Sequence, residues 1–152
     1  MTGPAAGIPP TGFIYPVVKP APIETALIMF LTPLFQPTPV STRLPIDTSP
    51  NDTQNGFIRV EAAGGPKINL TQYNQTCLLH VYVPDEFEVQ GEQIAQDVTA
   101  YVSAVGGQTI YGFQIVQVPR STAPQRRTDP RVNLLRYMST VTWTVAGQPV
   151  SS

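Results

Sequence analysis

LLHVYVPDEFEVQGEQIAQDVTAYVSAV, residues Leu78–Val105, changes its apolar period midway. From Leu78 to Val83 the side chains alternate, with Leu79, Val81 and Val83 on one face and Leu78, His80 and Tyr82 on the other. That period of two predicts a strand. After Pro84, Ile94, Val98, Tyr101, Val102 and Val105 recur at helical spacing, and Gly106-Gly107 supplies a stop. Asp85 followed by Glu88 resembles a capping box, and Glu86, Glu88 and Glu92 crowd the end of the helix where its dipole favours negative charge. Gly91 stands inside the helical pattern at a cost of about 1 kcal/mol relative to Ala. A strand running straight into an amphipathic helix is the unit around which the rest is arranged.

Working outward, Phe57–Ala62 alternates like a strand, and the GGPK that follows terminates it. The polar segment before Leu78 makes the pair an antiparallel hairpin with a long connection. Upstream, Pro22 suits the first turn of a helix, and Ile23, Ala26, Leu27, Phe30, Leu31 and Leu34 form its stripe. Pro33 disfavours helical angles at Thr32, which predicts an end near Leu31. Val40–Leu44 reads as a short strand and residues 45–55 as a loop. Downstream, Phe113–Val118 and Leu134–Val145 are further strands. Together these predict an α+β fold, a mostly antiparallel sheet with two helices on one face, over residues 23–147. Residues 148–152 form a tail. Residues 1–22, with prolines at 4, 9, 10, 16, 20 and 22, read as an extended N-terminal arm. Phe13, Ile14, Tyr15, Val17 and Val18 give that arm more apolar surface than a free tail carries. A surface of its own domain or of a neighbouring chain is expected to hold it.

The 152 residues suffice for one domain. Charged residues are only 12%, and 17 residues are proline, which suggests surfaces covered by neighbours. Residues 1–118 hold nine acids and four bases, whereas residues 119–152 hold one acid and five bases. Such opposite poles suit a contact between subunits, or a contact with phosphate. Cys77 is the sole cysteine, so no internal disulfide forms, and it reads as a small filler in or beside a strand. Three sequons, at Asn51, Asn69 and Asn74, matter only in a secreted eukaryotic chain. The opening residues lack the basic start of a signal peptide, and Ala26–Leu31 is too short to span a bilayer. A soluble, intracellular protein is the expectation.

Catalytic patterns are sparse. A single His and a single Cys make no zinc pattern, no G-x-S-x-G elbow occurs, and the paired glycines suit turns rather than phosphate. His80 reads as a structural or interface residue, and the expectation is a protein that is not an enzyme and carries no cofactor. The remaining feature is PRSTAPQRRTDPR, Pro119–Arg131, with Arg120, Arg126, Arg127 and Arg131. Parity sets Tyr137 and Trp143 with Leu135, Val141 and Val145 on the apolar face of the last strand, away from Arg136, Thr140, Thr142 and Thr144. Stacking aromatics are therefore missing beside the basic run, which weakens a nucleic-acid platform. A basic loop projecting toward another subunit is the preferred reading.

The order of these elements resembles the tail terminator proteins of long, non-contractile-tailed bacteriophages, particularly those infecting actinobacteria. The resemblance rests on PIETALIMFL, STRLP, GFIRVEAAGGP, the opening stretch, GFQIVQVPRSTAPQRRTDP and RYMSTVTWTVAG, in that order, and covers residues 23–147. It implies a virion subunit of a ring, usually a hexamer, that caps the tail tube and halts its polymerisation. The implied partners are further copies of the chain, the tail tube protein, the head-closure connector protein, and viral DNA passing transiently through the lumen; no membrane is involved. No catalytic residue is implied, and residues 1–22 lie outside the pattern. The arginine segment then has two candidate roles, bridging to carboxylates of a neighbour or lining the lumen. Bridging is preferred, since a dense inward ring of arginines would retard sliding DNA. Alternatives are another head–tail joining protein, a small nucleic-acid-binding module revealed by salt-dependent DNA binding of the monomer, and an enzyme revealed by the effect of His80→Ala.

Overall fold

The computed structural model describes residues 12–44 and 55–150. The first half of the arm, the expected loop up to residue 54 and the Asn51 sequon lie outside them. Among the described residues the order is β1 (Val18–Lys19), α1 (Ile23–Phe35), β2 (Val40–Ser41), β3 (Phe57–Gly64), β4 (Gln72–Val83), α2 (Glu88–Ser103), β5 (Thr109–Ile110), β6 (Phe113–Ser121), β7 (Gln125–Arg126), β8 (Leu135–Ala146) and β9 (Gln148–Pro149). The main sheet runs β2-β3-β4-β8-β6-β5, with β7 also paired to β8. Its pairings are antiparallel except for β2 against β3. The fold is the expected α+β arrangement, with both helices packed against the sheet.

β4 and β8 form the spine, registered residue for residue from Gln72 opposite Ala146 to Val83 opposite Leu135. On the helix side lie Cys77, Leu79, Val81, Tyr137, Val141, Trp143 and Val145, all buried. They meet Ala26, Leu27 and Leu31 of α1 and Ala95, Val98 and Val102 of α2 in one cluster. Trp143 is 1% exposed, and its indole nitrogen donates to the Val102 carbonyl at 2.9 Å, so the polar end of the ring is satisfied inside the core. Gly91 explains its place in α2 here: a Cβ would overlap the Val83 side chain, so only glycine lets the helix lie this close to β4. Gly65 has a similar reason, because a Cβ there would fall on the Asn74 carbonyl oxygen.

Several sequence expectations are corrected. α1 runs to Phe35 and carries Pro33 within its last turn, where the lost N–H costs a single bond on an exposed side. Leu34 and Tyr101, read as part of the buried stripes, are 44% and 46% exposed. Asp85–Phe87 is a separate 3₁₀ turn, α2 starts at Glu88, and no side chain caps either element, so the capping box is absent. β4 is twice the length expected, because Gln72–Cys77 pairs with β8 through backbone groups that side-chain polarity does not reveal. The short strand Val40–Leu44 is limited to Val40–Ser41, and β6 continues past Val118 to Ser121.

Candidate interaction surfaces

The arm is held by its own domain from Val17 onward. β1 pairs antiparallel with β9, and the Val150 amide donates to the Val17 carbonyl at 3.0 Å. The Gln75 side chain clamps Ala21 twice, accepting from its amide at 3.2 Å and donating to its carbonyl at 3.0 Å. The Tyr73 hydroxyl adds a bond to the Val18 carbonyl at 3.3 Å. Gln148–Pro149 of the expected tail is thus part of the same small sheet as the arm. Val17 and Val18 are half-buried, but Phe13, Ile14 and Tyr15 are 61%, 90% and 63% exposed. The structure therefore divides the five apolar arm residues into an anchored pair and a presented triplet.

The arginine segment does not project as a free loop. After β6, the Thr122 amide donates to the Thr140 carbonyl at 2.9 Å, and β7 then sets Gln125 opposite Met138 and Arg126 opposite Tyr137. Pro119–Arg127 thus lies along the edge of β8 and prolongs β6. Arg120 and Arg126 stand on strands, whereas Arg127 and Arg131 follow in the turn beyond, and all four are exposed. Arg126 Nη1 reaches Glu88 Oε1 at 2.7 Å across an exposed gap between β7 and α2. Arg127 donates to the Gln125 side-chain oxygen at 2.9 and 3.1 Å. Arg131 is committed to Asp129, through its backbone amide, its Nε at 2.9 Å and its Nη2 at 3.0 Å.

Asp129 is the centre of a polar cluster on the sheet face opposite the helices. It is 1% exposed and also receives the Tyr82 hydroxyl at 3.0 Å and Arg136 Nη1 at 3.5 Å. Arg131, then burial, then Tyr82 set its titration, and the bonds prevail over desolvation, holding the carboxyl well below the usual range. Arg136 also donates to the Arg127 carbonyl at 3.2 Å and the Thr128 carbonyl at 3.4 Å, so it pins the turn over Tyr82. Beside it His80, 2% exposed, places Nε2 at 3.0 Å from Glu61 Oε1 and leaves Nδ1 buried without a partner. The acceptor carboxylate puts the ring proton on Nε2. Burial, outweighing the Glu61 contact and aided by Arg59 and Arg136, pushes its titration down and keeps the ring neutral. Burial and the Asp129 bond push the Tyr82 phenol up. Neither hydroxyl nor imidazole is activated as a nucleophile or base by this arrangement, and its evident work is to hold the turn 127–131 against the sheet.

Sequence reading named the arginines but missed Asp129, Tyr82 and Glu61 as their partners. Alternation set Tyr82 and His80 on one face without a sign that Asp129, 47 residues further along, bonds the Tyr82 hydroxyl. Cys77 behaves as expected, its thiol donating to the Val141 carbonyl at 3.3 Å and pushed up to about 12 by burial. Among the described residues no group of three His, Cys, Asp or Glu side chains is placed to hold a metal ion, and no helix is long and apolar enough to cross a membrane. The chain matches no protein-family model and no curated protein.

Proposed function

We propose that the chain is a structural virion subunit, a tail terminator that forms a ring, caps the tail tube, stops its polymerisation and joins it to the head-closure connector. DNA passes through the lumen of that ring. The observation that carries the reading is the Phe13-Ile14-Tyr15 triplet, held 61–90% exposed on a segment whose next residues are anchored. An isolated domain gains nothing by presenting three adjacent large apolar side chains, whereas a subunit that clasps a neighbour does. The resemblance drawn from the sequence supports the same reading. The proposal assigns no catalytic step, and it places the subunits in virions, at the head–tail junction.

The arginine segment supports a bridging role better than a nucleic-acid role. Within it, Arg126 and Arg131 already face carboxylates, at Glu88 and Asp129. Groups so neutralised attract phosphate less, whereas an exposed pair such as Arg126–Glu88 exchanges partners readily. The decisive experiment is electron microscopy of the purified chain with and without its tube protein, on the wild type and on Arg126→Glu/Arg127→Glu. Rings that cap tubes, and a charge-reversed variant that assembles or joins poorly, are expected. A stable monomer that ignores tubes overturns the reading; normal rings and joining by the variant overturn the bridging role alone.

A further inference from the structure

We infer that Arg120 of one copy seats in a groove on the flank of α2 of a second copy and pairs there with Asp97. This rests on the ring reading, and it gives the bridging role of the arginine segment its receiving carboxylate. The groove encloses about 330 Å³ between the start of β3 and the first half of α2. Val83, Phe87 and Ile94 supply its apolar lining, and Gln90, Gln93 and Asp97 its polar lining. One cavity thus brings a carboxylate, an aromatic ring, two carboxamides and apolar surface together. At 3.6 residues per turn, Gln90, Gln93, Ile94 and Asp97 share one flank of α2, opposite Glu88 and Glu92.

One copy supplies Asp97 with no cation. Among the described residues no Lys, Arg or His side chain pairs with it. Residues 1–11, 45–54 and 151–152 contain none of these residue types. Glu88, by contrast, holds Arg126, and Asp85 lines a cleft with Arg126, Arg127 and Arg136. Glu86 and Glu92 line no part of the groove. A guanidinium suits such a site: its fork meets the carboxylate, its plane stacks on the Phe87 ring, and its methylene stem covers Val83 and Ile94. A lysine ammonium offers neither the fork nor the plane.

Arg120 and Arg43 are the arginines whose guanidinium groups bond to nothing among the described residues, since Arg59, Arg126, Arg127, Arg131 and Arg136 all have partners. The two differ in place. Arg43 follows β2, which pairs with β3 at the groove's own edge of the sheet, so a contact through it would join two like edges in a closed pair. Arg120 stands on β6, three strands from β3 in the order β3-β4-β8-β6. Knob and seat are therefore at opposite edges, and the contact is heterologous and repeats from copy to copy, as a closed ring requires. The exposed Phe13-Ile14-Tyr15 triplet is the rival occupant. Its side chains would cover Val83 and Ile94 but bring no cation, leaving the Asp97 carboxylate enclosed and unpaired.

The test exchanges the charges. Asp97→Arg and Arg120→Asp are made singly and together in the full chain, and self-association is measured by sedimentation. Both positions are exposed, so the fold is expected to accept either change. Each single variant is expected to weaken self-association about tenfold, and the double variant to return to within about threefold of wild type. Asp97→Asn, which keeps the shape of the side chain, is expected to show the single-variant loss. Independent losses of surface charge would add in the double variant; a pair cancels them. No recovery in the double variant overturns the pairing. Unchanged association of both single variants in preparations that still form rings also overturns it and leaves the ring reading standing. So does association lost only when Phe13, Ile14 and Tyr15 are replaced by Ser. A wild-type chain that stays monomeric and ignores tubes overturns both. Recovery by the exchanged charges in copies that never cap tubes supports the contact and overturns the terminator reading instead.

Discussion

The two faces of the sheet bury their residues by opposite means. Against the helices, Leu79, Val81, Val141 and Trp143 exchange water for close apolar packing, and the polar groups there are few and paired, such as Thr99 with Ser139 at 2.7 Å. On the outer face, Tyr82 and His80 are as deeply buried, yet among charged partners: Tyr82 donates to the Asp129 carboxylate, which Arg131 and Arg136 also hold, and His80 meets Glu61. The first kind of burial is indifferent to pH and tolerates any side chain of the right shape. The second depends on ionisation and fails when one member is lost. This difference teaches that the arginine segment, paired to β8 through Arg127, commits the Arg131 side chain to Asp129 and leaves the Arg120 and Arg127 side chains exposed.

Three substitutions probe that contrast. Trp143→Ala removes the largest fully buried side chain and its bond to Val102, and is expected to cost about 3–5 kcal/mol. Chemical denaturation should find that loss unchanged between pH 7 and pH 3; a pH-dependent loss would mean the faces are coupled. Asp129→Asn keeps an acceptor for Tyr82 but discards the charge-assisted bonds, with an expected loss of about 1–3 kcal/mol at pH 7. The folded carboxyl titrates below its unfolded value, so its stabilisation is complete above about pH 3.9 and is lost as pH falls through the folded value. The gap between wild type and Asp129→Asn should therefore narrow in acid, and a gap constant to pH 2 would contradict the clamp.

His80 gives the smallest effect. Its folded titration lies below the unfolded one, so the unfolded chain binds the extra proton in the window beneath about pH 6.5. Stability is full above that value and falls on acidification, by no more than about 1.4 kcal/mol per pH unit. His80→Gln, which retains a donor toward Glu61, should flatten the wild-type slope between pH 7 and pH 5 in thermal melts. An unchanged slope would assign the pH dependence elsewhere.

Local patterns were most informative where one element has one buried face. The alternation of Leu79, Val81 and Val83 sorted β4 into two faces, and that of Tyr137, Val141 and Trp143 identified the buried face of β8, because a period of two leaves only two choices. The stripe of α2 was legible for the same reason, apart from Tyr101, which helical spacing places beside Val98 and Val102 but which α1 leaves half uncovered. The polar half of β4 was not legible. Gln72–Thr76 owes its strand to backbone pairing with an already formed β8, and Gln75 is buried only because Ala21 needs both its amide groups. The arginine segment was read as a projection since its prolines and charges suit a loop; it lies down because β8 offers an unpaired edge.

By itself, then, the sequence determined the α+β class, the two helices and the polarity of the central strands. These depend on side-chain type and spacing along a single stretch. The tertiary structure alone decided which arginines are spent on Asp129 and Glu88, that Tyr82 and His80 are covered, and that the arm anchors at Val18 while Phe13, Ile14 and Tyr15 remain on view. Those outcomes depend on which distant segments come into register, and period and composition carry no record of the partner across the sheet.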